Sequence, residues 1–202
     1  MELTYDCEMF KRTFESEFTW LNGFMRNVRR FGYKNAAFDP MSGRIWTYTE
    51  LNRDSNKFAN AMKVSNVKKS DVVFVQLFNS PQFLFGYIAS QKIGAIFNPA
   101  NFNLSPGETA EIIDHNKPKV YVYDSEIVQT AIDALSICKH KPEVVIAVNV
   151  TSREFTLPEN HILYDDYVEN ASEENPPVDF NPYFYDEVVR LQTSGTTGTP
   201  KG

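Results

Sequence analysis

The chain has few of the features that would place it in several large classes of protein. No stretch of its 202 residues approaches the ~18 consecutive apolar residues that a membrane helix needs. Cysteine occurs twice, at Cys7 and Cys138, too sparsely for a disulfide framework or a paired-cysteine metal site. The three histidines, His115, His140 and His161, are dispersed in sequence and suggest surface positions near element ends, with no metal site. Positive charge is in deficit: 20 Lys and Arg against 26 Asp and Glu give a net charge of −6 and a pI near 5.1. That balance argues against a nucleic-acid partner. The densest basic cluster, Arg26, Arg29 and Arg30, reads as the wet face of a helix. Residues 1–12 carry acids and no apolar centre, so they do not read as a secretory signal, and a reducing cytoplasm is the expected setting. There is no internal repeat and no low-complexity tract.

What is present suits one domain or slightly more, with 42% hydrophobic residues to build a core. Residues 1–13 are polar and read as loose. Phe14, Phe18, Leu21, Met25 and Val28 recur at steps of three and four, which predicts one helix over 14–30. A hairpin follows, with strands near 36–38 and 44–48 around the turn Asp39-Pro40-Met41-Ser42-Gly43. Thr47 and Glu50 have capping-box spacing and open a packing helix with an apolar face of Leu51, Ser55, Phe58, Ala59 and Met62.

From Val72 the pattern changes to short apolar runs alternating with helices. Residues 72–77 read as a strand buried on both faces. Ser80-Pro81 starts a helix and Gly94 stops it. Strands are expected at 95–98, 120–123 and 144–148, with helices over 106–116 and 126–139 between them. The helix at 106 again opens on a capping box, Ser105 with Glu108. Strand–helix alternation of this kind predicts an α/β fold: a mostly parallel, twisted sheet with helices on both faces. Residues 149–186, rich in Pro, Asn, Asp and Glu, read as an irregular surface excursion. A last strand, 187–192, runs into the end of the sequence. Ligands of such sheets bind beyond the carboxyl ends of strands.

The last ten residues suit a phosphate cradle: Thr193-Ser194-Gly195-Thr196-Thr197-Gly198-Thr199-Pro200-Lys201-Gly202. Their three glycines admit φ > 0, which lets successive N–H groups converge on an anion. The hydroxyls of Thr193, Ser194, Thr196 and Thr197 can donate to phosphate oxygen or approach a hydrated Mg²⁺. Lys201 adds a mobile positive charge. The string is not a P-loop, because Pro200 precedes the lysine and Gly202 follows it. It is not a dinucleotide fingerprint either, because its glycine spacing is G-x-x-G-x-x-x-G.

The string does resemble the signature loop of the AMP-forming adenylate-forming enzymes, the superfamily of acyl- and aryl-CoA synthetases, peptide-synthetase adenylation domains and firefly luciferase. The motif Thr-Ser-Gly-Thr-Thr-Gly-x-Pro-Lys-Gly matches from Thr193 to Gly202 with only Thr199 at the free position. Thr47 to Leu51, Asn79-Ser80-Pro81, Lys92-Ile93-Gly94-Ala95 with Asn98-Pro99, and Ser105-Pro106 with Glu108 resemble packing segments of the same family. Arg190 departs from it, since the family more often has an apolar residue there, and Asn66 and Ser70 stand where it commonly has glycine. The likeness spans roughly residues 14–202.

The resemblance implies an incomplete portion of the large N-terminal domain of the adenylate-forming fold, ending at the phosphate-binding loop. It assigns ATP contacts to Thr193, Ser194, Gly195, Thr196, Thr197, Gly198 and Lys201, and places no catalytic residue and no metal ligand in this piece. It implies ATP, Mg²⁺ and coenzyme A for the intact parent, and a fatty or aryl carboxylic acid as substrate. Loading of a carrier protein, or a non-catalytic remnant, stand as alternatives. The 202 residues alone are expected to lack turnover, and to self-associate through uncovered surface.

Overall fold

A computed structural model describes residues 6–180 and 185–192. Two helices replace the single one expected over 14–30. Helix α1 (Cys7–Glu17) is capped by the Asp6 carboxylate, which accepts from the Glu8 and Met9 N–H groups. Helix α2 (Trp20–Phe31) is capped by Thr19. The break at Phe18-Thr19 splits the apolar stripe. Leu21, Met25 and Val28 pack on the core, while Phe14 and Phe18 stack on each other in an exposed position. The 3.6-residue period continued across the break, and a local cap at Thr19 overrode it.

The hairpin pairs β1 (Asn35–Phe38) with β2 (Ile45–Thr47) antiparallel. Both hydrogen bonds of the capping box at the next helix are made: Glu50 N–H donates to Thr47 Oγ1, and Thr47 N–H donates to Glu50 Oε2. They start α3 (Tyr48–Val64), whose expected apolar face is buried throughout.

The main sheet has five parallel strands in the order β4-β3-β5-β6-β7. These are β3 (Val72–Gln76), β4 (Ile96–Pro99), β5 (Val120–Asp124), β6 (Val144–Val148) and β7 (Ile162–Leu163). Helix α4 (Pro81–Ile93) joins β3 to β4, and α5 (Pro106–Asn116) joins β4 to β5. Between β5 and β6 a single 3-10 turn (Ser125–Ile127) precedes α6 (Val128–Ile137), a shorter helix than the expected 126–139. Successive side chains divide between two cores. Val73, Val75, Val120, Val122, Ile146 and Val148 face α3 and α4; Phe74, Tyr121, Tyr123, Val145 and Ala147 face α5 and α6. Helices on both faces explain why β3 and β5 are buried at every position and show no polar alternation.

The stretch 149–186 holds two short elements that its polar composition hid: β7, and α7 (Tyr164–Val168), whose Tyr164 and Val168 enter the α3 core. The end of the described chain returns to the sheet beyond β4. Val189 forms one parallel bridge with Phe97, in place of the full strand expected over 187–192.

Candidate functional site

The residues assigned to the phosphate cradle, Thr193, Ser194, Gly195, Thr196, Thr197, Gly198 and Lys201, lie outside the described residues. What the structure does define is the approach to them. The segment 187–192 lies against the outer edge of β4, with Phe97 N–H donating to Val188 C=O and Arg190 N–H donating to Phe97 C=O, both at 3.0 Å. This pairing is parallel to β4, so the chain emerges at the carboxyl ends of the strands. That is where an open α/β sheet binds its ligands.

Several buried polar groups gather at this end. Gln76, the last residue of β3, has no exposed surface. Its amide donates to Asn101 C=O at 3.1 Å and to Thr109 Oγ1 at 3.3 Å, and its Oε1 accepts from the Tyr121 hydroxyl at 2.7 Å. Gln76 thereby ties the end of β3 to the loop after β4 and to α5. Burial pushes the Tyr121 phenol up, so it stays a neutral donor. At the end of β5, Asp124 Oδ1 accepts from Glu126 N–H at 3.0 Å, and burial raises its carboxyl pKa.

Between the β3 and β4 ends and the returning chain lies a cavity of about 400 Å³, bounded in part by Leu77, Asn79, Pro99, Asn101, Leu191 and Gln192. The Gln192 amide is enclosed with neither its Oε1 nor its Nε2 hydrogen-bonded. It immediately precedes Thr193, so the cavity and the glycine–threonine loop share a border in the chain. Among the described residues no group of three His, Cys, Asp or Glu could hold a metal ion. His140 and His161 are engaged singly, with Pro118 C=O and the Tyr123 hydroxyl.

Sequence reasoning gave no site role to Gln76, to Asn98 and Asn116, or, at the far end of α4, to Lys92. Gln76 was hidden inside an apolar strand. Asn98 and Asn116 look like ordinary strand-end and helix-end residues, and only the fold brings them together. Lys92 looks like a solvent-facing helix-end residue but is 4% exposed, with Nζ against Asn52 Oδ1 at 2.8 Å and Asn175 Oδ1 at 2.9 Å.

A parallel sheet with helices on both faces, and the last described residues at its carboxyl edge, defines an open α/β domain of the kind that binds ligands there. The particular family follows from comparison with known proteins: the AMP-binding enzyme model matches residues 24–202, and the chain belongs to that family. A 4-coumarate–CoA ligase of Humulus lupulus is 30% identical over 178 residues, covering 87% of this chain and 31% of that protein. A crotonobetaine/carnitine–CoA ligase of Proteus mirabilis is 32% identical over 171 residues, covering 82% of this chain and 32% of that protein. The chain thus spans about a third of the length of these relatives. The crystal structure of an anthranilate CoA ligase bound to anthranoyl-AMP superposes with a TM-score of 0.81 at 20% identity, over 93% of this chain and 34% of that one.

Proposed function

We propose that these residues form the N-terminal part of an AMP-forming acid–thiol ligase. The parent would join a carboxylic acid to ATP, release pyrophosphate, and pass the acyl group from the adenylate to coenzyme A. The observation that carries the reading is the ten-residue loop string placed directly after a segment paired to the sheet edge. The relatives named as CoA ligases support it.

The donor set fits a polyphosphate. Residues 193–202 offer hydroxyls, backbone N–H groups and one lysine, and no carboxylate that would repel an anion. Thr193, Ser194, Thr196 and Thr197 would donate to phosphate oxygens, with Gly195 and Gly198 allowing close backbone approach. Lys201 would neutralise charge that grows on the leaving pyrophosphate. Mg²⁺, when bound, supplies further screening of that charge. The work of these residues is positioning and electrostatic stabilisation. A fatty or aryl acid is the substrate class, and a reducing, cytoplasmic compartment suits two cysteines that are both free.

The test uses the full-length parent. Acid-dependent exchange of pyrophosphate into ATP is expected across a panel of aliphatic and aromatic acids, followed by AMP formation that requires coenzyme A. Lys201→Ala is expected to slow pyrophosphate release about 100-fold or more. A parent showing no acid-dependent exchange with any acid of the panel would remove the proposal. Exchange without a coenzyme A requirement would turn it toward a carrier-protein acceptor.

A further inference from the structure

The chain that delivers the loop is held to the sheet by very little backbone pairing. Only two backbone hydrogen bonds, both to Phe97, join residues 188–190 to β4. Next to them lies a closed circuit of hydrogen bonds that links the side chains of Asn98 and Asn116 to the guanidinium and the backbone carbonyl of Arg190. Asn98, on β4, donates from Nδ2 to Arg190 C=O at 2.6 Å. Arg190 donates from Nη1 to Asn116 Oδ1 at 3.3 Å. Asn116, at the end of α5, donates from Nδ2 to Asn98 Oδ1 at 3.0 Å. Each member donates once and accepts once around the ring, so both amide orientations are determined by their partners. Asn98 is fully buried and Asn116 is 5% exposed. Glu187 completes the arrangement from the returning segment itself: its carboxylate takes Arg190 Nε at 2.6 Å and Nη2 at 2.7 Å. That bidentate pair leaves Nη1 aimed at Asn116.

We propose that Asn98, Asn116 and Arg190 are positioning residues: a clamp that fixes the height and register of residues 187–192 on the sheet edge, and so sets where the loop 193–202 begins. This rests on the functional reading above only in its second half, the effect on ATP. The geometry gives the charged residue at 190 two partners, Glu187 and Asn116. An apolar side chain there would leave Asn116 Oδ1 without its donor. It also explains why Asn98 is an amide within an otherwise apolar strand. An unpaired amide at that depth is costly, and a ring of three is satisfied only when the returning segment is seated.

The clamp is tested with two measurements on the full-length parent and its Asn98→Ala, Arg190→Ala and Arg190→Lys variants. The first is amide hydrogen exchange. Asn98→Ala and Arg190→Ala are expected to speed exchange at 188–192 about tenfold or more, with β3 and β5 unchanged. Arg190→Lys keeps one donor for Asn116 and is expected to recover part of the protection. Unchanged exchange at 188–192, or equal acceleration throughout the sheet, overturns the clamp. The second is the steady-state rate law. A clamp that positions the loop raises the KM for ATP about tenfold in the Ala variants while the KM for the acid stays within about twofold. Equal rises in both KM values, or no rise, overturn the positioning role. A wild-type parent without acid-dependent turnover sinks the functional reading instead, and the exchange comparison then decides the clamp by itself.

Discussion

Residues 72–148 and residues 172–177 satisfy their backbones in opposite ways. In the first region the polar groups are met locally or by the neighbouring strand. Helices α4 and α5 carry their own caps, Ser80 and Ser105, and β3, β5 and β6 pair in register. In the second region the carbonyls reach side chains far away in sequence. Asn56 Nδ2 donates to Glu173 C=O at 2.7 Å, and Asn60 Nδ2 donates to Ser172 and Glu174 C=O at 2.9 and 2.8 Å. Lys63 Nζ donates to Pro177 C=O at 2.8 Å. These donors recur at steps of three and four along one edge of α3, which therefore serves as a rail for residues 172–177. An irregular segment is thus fixed by a regular one, at a sequence separation above 110 residues.

The largest expected effect comes from breaking the apolar half of this attachment. Phe58 on α3 is 1% exposed and meets the rings of Tyr164 and Tyr167 edge-on, with centroids 5.2 and 6.1 Å apart. Phe58→Ala removes the surface on which α7 sits and is expected to cost about 3–5 kcal/mol, read from the urea unfolding midpoint. A loss near 1 kcal/mol would mean that α7 collapses into the space, and that the polar rail alone carries the segment.

The second prediction concerns Lys92, the charged member of the contact with the returning segment. Its ammonium lies against Asn52, Asn175 and the Met25 sulfur, with the Phe24 ring 6.0 Å away, and among the described residues it forms no ion pair within 4 Å. The nearby acids are engaged elsewhere: Asp54 with Arg44 and the Trp46 indole, and Glu173 with Arg53. Arg26, Arg29 and Arg30 on α2 are of like charge. Burial pushes the Lys92 pKa down from 10.5 to about 8. Between those values the unfolded chain holds the extra proton, so stability rises with pH there. The cost of burying the charge is present in full below about pH 8 and is relieved toward pH 10.5. The rise should reach up to about 3 kcal/mol. Lys92→Met should flatten it relative to wild type in paired thermal melts. Parallel curves for the two proteins would show that the ammonium is solvated after all.

The same contrast explains what could be read from the residues alone. The capping boxes at Thr47 and Ser105, the stop at Gly94 and the apolar runs at Val72 and Val144 are signals contained within a few residues, and each placed an element. The break at Thr19 was missed because apolar spacing continued across it. β7 and α7 were missed because seven residues with no side-chain cap carry no local signature, and their order comes from Phe58 and β6. At the candidate site the loop was recognisable as a string. The ring of Asn98, Asn116 and Arg190 was not, since nothing in any one window links a strand end, a helix end and the returning segment. Lys92 illustrates the same limit, because a lysine in the last turn of a helix ordinarily points to water.

The smallest effect should come from the polar rail itself, and it separates the two regions most cleanly. Asn56→Ala removes the donor to Glu173 C=O, but it also removes a buried Oδ1 that has no hydrogen-bond partner. The two changes oppose each other, so the net cost should be about 1 kcal/mol or less. Asn60→Ala breaks two hydrogen bonds at a half-exposed position where water can replace the donor, which again limits the loss to about 1 kcal/mol. Global stability of the double variant should therefore fall only slightly. Residues 170–180, however, lose three of the hydrogen bonds that hold their carbonyls, and limited proteolysis there should accelerate well before the sheet unfolds. Cleavage that tracks global unfolding in urea would show that the returning segment opens only together with the sheet. The two regions would then be one cooperative unit despite being built by different means.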